Sequence, residues 1–186
     1  MLRTSLRNLA IVSALAGSAM LAHAAMNPEV GGAPMYDTKN IVENAVNSKD
    51  HTTLVAAVKA AGLVDTLMGK GPFTVFAPTN EAFAALPKGT VDTLLKPENK
   101  AMLVKVLTCH VVAADAMSKA IKKMIKDDGG MHKIKTVGGC ELTATRKGKK
   151  IMIKDELGDV ATVTIADVKQ SNGVIHVIDK VLLPKG

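Results

Sequence analysis

Aromatic residues are scarce in this chain, which has no Trp, one Tyr and three Phe among 186 residues. Proteins that hold single-stranded nucleic acid stack its bases on aromatic side chains. The formal net charge of +7 would otherwise suggest such a partner. The densest cluster of cations has no aromatic neighbour in the sequence, and its members are Arg146, Lys147, Lys149 and Lys150. The composition therefore argues against nucleic-acid binding.

Catalytic and metal-binding motifs are also missing. The sequence has no G-x-S-x-G motif of a nucleophilic serine, no HExxH motif and no paired CxxC motif of a zinc site. The glycine pairs at 129–130 and 138–139 fit turns better than a phosphate-binding loop. We therefore predict a protein that is not an enzyme and that uses no metal and no cofactor. A periplasmic small-ligand carrier or an uncharacterised enzyme is the alternative, because perturbed side chains cannot be recognised from sequence.

The N-terminal 24 residues have the pattern of a secretory signal. Arg3 and Arg7 precede an uncharged apolar run from Leu9 to Leu21, and the A-x-A motif of a cleavage site ends at Ala24. The run is shorter than the roughly 20 residues that a membrane span needs, which disfavours an uncleaved anchor. No later run is long and apolar enough to cross a membrane. We predict a signal peptide over 1–24, cleavage after Ala24, and export to a periplasm or the medium.

The remaining chain is predicted to form a single domain. Residues 25–36 contain two Pro and two Gly without periodicity, so we expect a flexible lead-in. Helical spacing of apolar residues dominates the first half of the rest, and it predicts one helix over 51–61. Alternating strand patterns dominate the second half, and they predict strands near 150–154 and 174–183 among others. This distribution predicts an α+β fold over 37–184, in which a layer of helices covers a sheet.

The chain has only two cysteines, Cys109 and Cys140. An exported protein meets an oxidising compartment, where paired cysteines are commonly oxidised. In the predicted strands, Cys109 shares a face with Leu107 and Val111, and Cys140 shares a face with Leu142. Both sulfurs should then point into the core. We predict a Cys109–Cys140 disulfide, with two buried free thiols as the alternative.

One stretch, residues 71–83, contains all three Phe residues and predicts a strand, a corner and a helix. Alternation from Phe73 to Ala77 is typical of a strand, which Pro78 should end because it has no N–H. Thr79 or Asn80 can then cap a helix that begins at once. The stretch therefore predicts how one strand passes directly into one helix.

This stretch resembles the first signature box of the fasciclin (FAS1) domain family. Residues 107–112 are similar to the family's central Tyr-His segment, and residues 172–184 are similar to its second box. The resemblance implies a wedge-like β-sandwich with a helical layer, and a non-enzymatic adhesion module of a cell surface or envelope. It places His110 at the family's His, whereas Cys109 replaces the Tyr.

The polar residues of these boxes are expected to serve the fold first. Asn80 and His110 should tie the boxes together by hydrogen bonds, and His176 should bond a ring nitrogen to the backbone. The candidate partner contact is instead the basic segment 146–150. We expect it to meet a cell-surface protein, an acidic glycan or a lipid headgroup, with an ordinary solvated turn as the alternative.

Overall fold

The computed structural model describes residues 27–185 of the chain. Its helices are α1 (Ile41–Ala45), α2 (Thr52–Ala61), α3 (Val64–Met68), α4 (Asn80–Ala84), α5 (Thr90–Leu94), α6 (Lys100–Thr108) and α7 (Ser118–Asp127). Short 3-10 turns occupy Lys49–His51 and Pro97–Asn99. Its strands are β1 (Glu29–Val30), β2 (Ala33–Pro34), β3 (Phe73–Pro78), β4 (Val111–Val112), β5 (Met131–Lys135), β6 (Glu141–Lys147), β7 (Lys150–Lys154), β8 (Val160–Gln170) and β9 (Gly173–Ile178).

Seven strands form one sheet in the order β4-β3-β9-β8-β7-β6-β5. One neighbouring pair, β3 and β9, is parallel, and the other neighbours are antiparallel. The pair requires a glycine at its start, because a Cβ on Gly173 would lie 1.9 Å from the carbonyl oxygen of Phe73. The α+β class predicted from sequence is confirmed. One curved sheet forms both layers of the predicted sandwich. Its two edge strands, β4 and β5, therefore approach each other at one end.

Two apolar clusters lie on the two faces of the sheet. The first fills the space between the sheet and helices α1 to α6, and the second lies inside the curve of the sheet, under α7. Helix α7 buries Ile121 and Ile125 in the second cluster and turns its lysines outward. Its apolar positions recur every three to four residues, which is the pattern of a helix with one buried face. Both layers of the fold therefore follow from the periodicity of the sequence.

The expected flexible lead-in is wrong from residue 29 onwards. Strands β1 and β2 form a small hairpin, and Val30 and Met35 are only 4% and 2% exposed in the first core cluster. The backbone N–H of Lys49 donates to the carbonyl of Gly31 and holds the hairpin to the 3-10 turn. Two buried apolar side chains thus outweigh the effect of two Pro and two Gly. The predicted signal peptide and the cleavage site after Ala24 lie outside the described residues.

The C-terminal segment continues beyond the sheet as an ordered, non-strand tail. Strand β9 ends at Ile178, five residues before the end predicted from the alternating pattern. The tail is held by side chains: the carboxylate of Asp155 accepts the N–H of Leu183 at 2.9 Å, and that of Glu156 accepts the N–H of Lys185 at 2.8 Å. Asp155 is therefore a buried structural acid, although it lies in the turn between β7 and β8.

Candidate functional site

The Asn80 side chain caps a helix, but not the helix in which it lies. Thr79 caps α4, where its hydroxyl accepts the N–H of Ala82. Asn80 reaches instead to the start of α2: its Oδ1 accepts the N–H of Thr53 at 2.9 Å, and its Nδ2 donates to the carbonyl of Lys49 at 2.7 Å. Helix α2 has no side-chain cap of its own. Asn80 therefore satisfies free backbone groups of one helix from another.

His110 connects α6 to the C-terminal tail. Its ring is 2% exposed, with Nδ1 2.8 Å from the carbonyl of Val106 and Nε2 2.8 Å from the N–H of Leu182. Because a carbonyl accepts and an N–H donates, the proton is on Nδ1 and Nε2 is bare. Burial lowers the pKa of His110 to about 4, so the ring is neutral near pH 7.

His176 is a second buried, neutral histidine with the opposite tautomer. Its Nε2 donates to the carbonyl of Ala116 at 2.8 Å, and its Nδ1 accepts the N–H of Asp167 at 3.2 Å. Burial lowers the pKa of His176, although the Ala116 carbonyl and two nearby aspartates oppose that shift. Its ring also stacks on Phe76, with centroids 5.8 Å apart.

Asp167 is a structural residue that the sequence analysis missed. It lies in the irregular part of β8 with φ of 61°, and it is the one non-glycine residue between 27 and 185 with a positive φ. Its carboxylate accepts the backbone N–H of Ser118 at 2.6 Å and also the Ser118 hydroxyl. Helix α7, which begins at Ser118, has no cap within its own segment. A strand residue therefore caps it.

Ser118, Asp167 and His176 lie close together without forming a catalytic triad. In a triad the histidine bonds to the serine hydroxyl and to the carboxylate. Here the serine bonds to the carboxylate, and both ring nitrogens of the histidine bond to backbone groups. In the part of the chain that the structure describes, no group of three His, Cys, Asp or Glu side chains is placed to hold a metal ion. The buried polar network serves to hold the fold.

Cys109 and Cys140 form a disulfide bond, with their Cα atoms 5.4 Å apart. The route by which the sequence predicts the pair is partly wrong. Cys109 is not on a strand but ends α6, and β4 begins two residues later. Both side chains are nevertheless buried. The disulfide joins the end of α6, just before edge strand β4, to the turn that follows edge strand β5.

The basic segment lies at the tip of the β6–β7 hairpin. Lys147 pairs with Lys150, and Gly148 begins the two-residue turn with φ of 61°. The four cations Arg146, Lys147, Lys149 and Lys150 are all exposed. Within residues 27–185, none of the four lies in an ion pair with an acid. The hairpin thus projects four uncompensated positive charges into solvent.

A cavity of about 80 Å³ lies between the helical layer and the sheet. Apolar side chains of α1, α2, α3, β3 and β9 line most of it, together with His51 and Ser48. His51 lies just before α2, yet it is only 3% exposed. Its Nδ1 bonds to the Ser48 hydroxyl at 2.9 Å, but its Nε2 has no hydrogen-bond partner among the described residues. Burial lowers the pKa of His51, although the nearby carbonyl of Ala77 opposes that shift.

Comparison with known proteins identifies the fold. Residues 49–184 match the Fasciclin domain family. The chain belongs to this family. The resemblance predicted from the three boxes is therefore confirmed. A solved FAS1 domain pair of the insect cell adhesion molecule Fasciclin I superposes on this fasciclin domain with a TM-score of 0.70 at 18% identity, covering 78% of this chain and 51% of that one. The chain thus spans about half the length of that structure, and the likeness concerns the fold.

Bacterial relatives are similar over most of the fasciclin domain. Protein sll1483 of Synechocystis sp. is 50% identical over 144 residues, which cover 77% of this chain and 73% of the relative. The cell surface glycolipoprotein MPB83 of Mycobacterium bovis is 34% identical over 176 residues, covering 91% of this chain and 72% of the relative. Within residues 27–185 of this fasciclin domain, no helix has the length and apolarity to cross a bilayer.

The box residues of this fasciclin domain do not converge on one exposed site. Asn80 bonds to α2, His110 bonds to the tail, and His176 bonds to β8 and the segment before α7. The two histidines share one neighbour, Phe76, whose N–H donates to the carbonyl of His110 and whose ring stacks on His176. The basic tip and the apolar cavity remain as candidate sites for a partner.

Proposed function

We propose that this chain is an exported, non-enzymatic binding module that attaches to an acidic glycan of a cell envelope. The observation that supports it most is the hairpin tip, where four exposed cations have no acidic partner within the described residues. Unpaired surface cations attract anions. No existing ion pair has to be broken when they bind one. The relative named a cell surface glycolipoprotein supports the envelope as the location.

The outer face of the sheet extends this basic surface away from the tip. Lys150, Met152 and Lys154 alternate with the buried Ile151 and Ile153 along β7, so the first three face solvent. Lys154 lies across from Thr143, which in turn lies across from Lys133 on β5. A continuous, mainly basic face with threonine hydroxyls suits a polymer that offers repeated carboxylates and hydroxyls.

The test is binding of the exported chain to an acidic polysaccharide, such as polygalacturonate, at low and physiological salt. Neutralising the tip with the R146Q/K147Q/K149Q/K150Q variant should weaken binding at least tenfold at low salt, because exposed charges are screened as salt rises. A matched control removes four lysines from α7 (K119Q/K122Q/K123Q/K126Q), which gives the same net charge. Equal losses in both variants would show that only net charge matters, and would overturn the assignment of the tip.

A neutral dextran and vesicles with anionic lipid separate the other outcomes. The proposed acidic glycan predicts binding to polygalacturonate, none to dextran, and weaker binding to vesicles. Stronger binding to the vesicles would transfer the assignment from a glycan to lipid headgroups. No binding to any of the three, with the fold intact, would overturn the proposed function.

A second candidate, carriage of a small ligand, is favoured by the cavity and by the unpartnered Nε2 of His51. Such a ligand would have an apolar body, to match the lining, and one polar group to bond the ring nitrogen. The probes are a series of small alcohols and phenols. Their binding is measured by the changes that they cause in the NMR chemical shifts of Ser48 and His51. Binding that is lost when Val58→Leu narrows the cavity would support carriage, and no shift at any concentration would exclude it.

A further inference from the structure

The seven-stranded sheet is an almost closed barrel that opens along one seam. Its edges are β4 and β5, and the strand directions around the sheet make these two strands antiparallel to each other. They are joined at one end, where the N–H of Val137 donates to the carbonyl of Val111 at 2.7 Å and the Cys109–Cys140 disulfide lies alongside. Beyond that point the two edges separate.

The separation has a definite structural cause. The chain that follows β4 is drawn toward β3 by Thr74, whose hydroxyl donates to the carbonyl of Ala114 at 2.6 Å and accepts the N–H of Ala116 at 2.8 Å. His176 holds the carbonyl of Ala116 from β9. The segment therefore cannot continue along β5, and a cleft of about 210 Å³ remains between the two edges.

The backbone of β5 faces this cleft with unused hydrogen-bonding groups. The N–H of Thr136 donates to the carbonyl of Cys140 in the β5–β6 hairpin. Because bonded positions alternate along an antiparallel pair, Ile134 and His132 also bond toward β6. The N–H and carbonyl groups of Lys133 and Lys135 then point away from β6 and toward the cleft. The N–H of Val137 points in this same direction, and it donates to the carbonyl of Val111. Within residues 27–185 the groups of these two lysines have no further backbone partner.

Three kinds of side chain line the cleft. Phe76, Met124 and Ile134 form an apolar floor, and Lys133 and Lys135 are exposed on the rim. His132 also lines the cleft, with its Nδ1 2.6 Å from the carboxylate of Asp128. Lys133 pairs with Glu141 on the neighbouring strand, at 2.7 Å, whereas Lys135 has no ion pair in the described part of the chain. An added strand would alternate its side chains between this floor and this rim.

We propose that the free edge of β5 binds an extended peptide segment of alternating apolar and acidic residues. The peptide would add as a strand antiparallel to β5, and its backbone would bond to the outward groups of Lys133 and Lys135. Its apolar side chains would enter the cleft toward Met124 and Ile134, and its acidic side chains would lie across from the rim lysines. Edge lysines also oppose pairing with a second copy of the same basic edge. The partner is therefore a different, acidic segment.

In the experiment, the exported chain is titrated with a short peptide of alternating valine and glutamate. Binding is measured by the NMR chemical shifts of the backbone amides and by calorimetry. A matched peptide carries N-methyl groups at alternate positions, which remove the N–H groups needed to pair with β5. The proposal expects saturable binding with shifts centred on residues 131–137, and at least a tenfold weaker affinity for the methylated peptide. Equal binding of the two peptides, or binding of neither, would overturn it.

Protein variants separate backbone pairing from charge. Lys133→Pro removes an outward N–H and leaves the ladder to β6 intact, whereas Lys133→Ala removes the charge and keeps the N–H. The proposal expects a larger loss of affinity for the proline variant. Reversing the rim with K133E/K135E should transfer the preference to a valine–lysine peptide, which keeps the test decisive if the proline variant does not fold. Sedimentation that showed a dimer lost in Lys133→Pro would assign the edge to a second copy and overturn the proposal.

Discussion

The Nε2 atom of His110 accepts the backbone N–H of Leu182 at 2.8 Å, although 72 residues separate them in the chain. A ring nitrogen can accept this bond only when it carries no proton. Since Nδ1 donates to the carbonyl of Val106, a second proton would have to displace Leu182. The C-terminal tail is thus held by a histidine that must stay neutral.

Stability should therefore fall as the solution is acidified. The pKa of His110 is lowered to about 4 by burial, and burial also lowers the pKa values of His51 and His176. In the unfolded chain these rings take up a proton near pH 6.5, whereas the folded chain resists protonation. The contribution of His110, about 3 kcal/mol, is fully present above pH 6.5 and is lost as the pH falls toward 4. Urea unfolding between pH 7.5 and pH 4.5 measures it.

The matched control for this pH dependence is His110→Gln. It should be less stable at pH 7.5, because the amide cannot reproduce both bonds, and it should lose less stability on acidification. Parallel curves for the two proteins would contradict the role of His110.

Asn80→Ala should lower the free energy of unfolding by about 1–2 kcal/mol, because two backbone groups at the start of α2 lose their partner. Asn80→Asp keeps the acceptor for the N–H of Thr53 but loses the donor to the carbonyl of Lys49. Its free energy of unfolding should therefore lie between those of the unsubstituted protein and Asn80→Ala. Thr79→Ala, which removes the cap of α4, serves as the local control. Hydrogen exchange should then report faster opening of α2 in Asn80→Ala and of α4 in Thr79→Ala. The same exchange pattern in both would contradict capping across helices.

Reduction of the Cys109–Cys140 disulfide should destabilise the domain by about 3–4 kcal/mol on the loop-entropy account, for a sequence separation of 31. The measurement compares urea unfolding with and without reductant, and the C109A/C140A variant shows the same state without reductant. Amides near Val111 and Val137 should exchange faster once the seam is released. An unchanged midpoint of urea unfolding would show that the disulfide is not needed to close the seam. The hydrogen bond from the N–H of Val137 to the carbonyl of Val111 would then close it alone.

Much of the fold could be predicted because its periodicity is local. Strand β7, Lys150–Lys154, has the bounds that alternation predicts, and α2 begins within one residue of its predicted start. The N-terminal hairpin could not be predicted, because its order comes from burial of Val30 and Met35 under distant elements. Propensity describes a segment alone, whereas these two side chains are fixed by tertiary contacts.

The sequence indicates which residues belong to the buried polar network, but it does not indicate which groups they bond to. The sequence marks Asn80 as a helix cap, yet it cannot show that the capped helix is α2. His51 lies near a helix start that usually faces solvent, and only the packed layers bury it. The basic tip was predictable as an exposed turn, because a charged two-residue hairpin depends on its own sequence alone. Contacts between residues far apart in the chain are the part that sequence patterns do not contain.

Asp167 combines two roles that substitutions can separate. It caps α7 through Ser118, and it holds a positive φ of 61° that residues with a β-carbon rarely adopt. Asp167→Gly should relieve the backbone and lose the cap, at a cost of about 1–2 kcal/mol. Asp167→Ala loses the cap and also strains the backbone, so its cost should be about 1 kcal/mol larger.

Asp167→Asn and Ser118→Ala complete this series. Asparagine tolerates the positive φ and keeps one acceptor, so it should be the mildest change at position 167. Ser118→Ala removes the hydroxyl contact but leaves the N–H that the carboxylate caps, so it should cost less than Asp167→Gly. Urea unfolding at pH 7.5 ranks the four variants. If Asp167→Ala were as stable as Asp167→Gly, the positive φ would carry no cost, and the cap alone would explain why an aspartate interrupts β8 at this position.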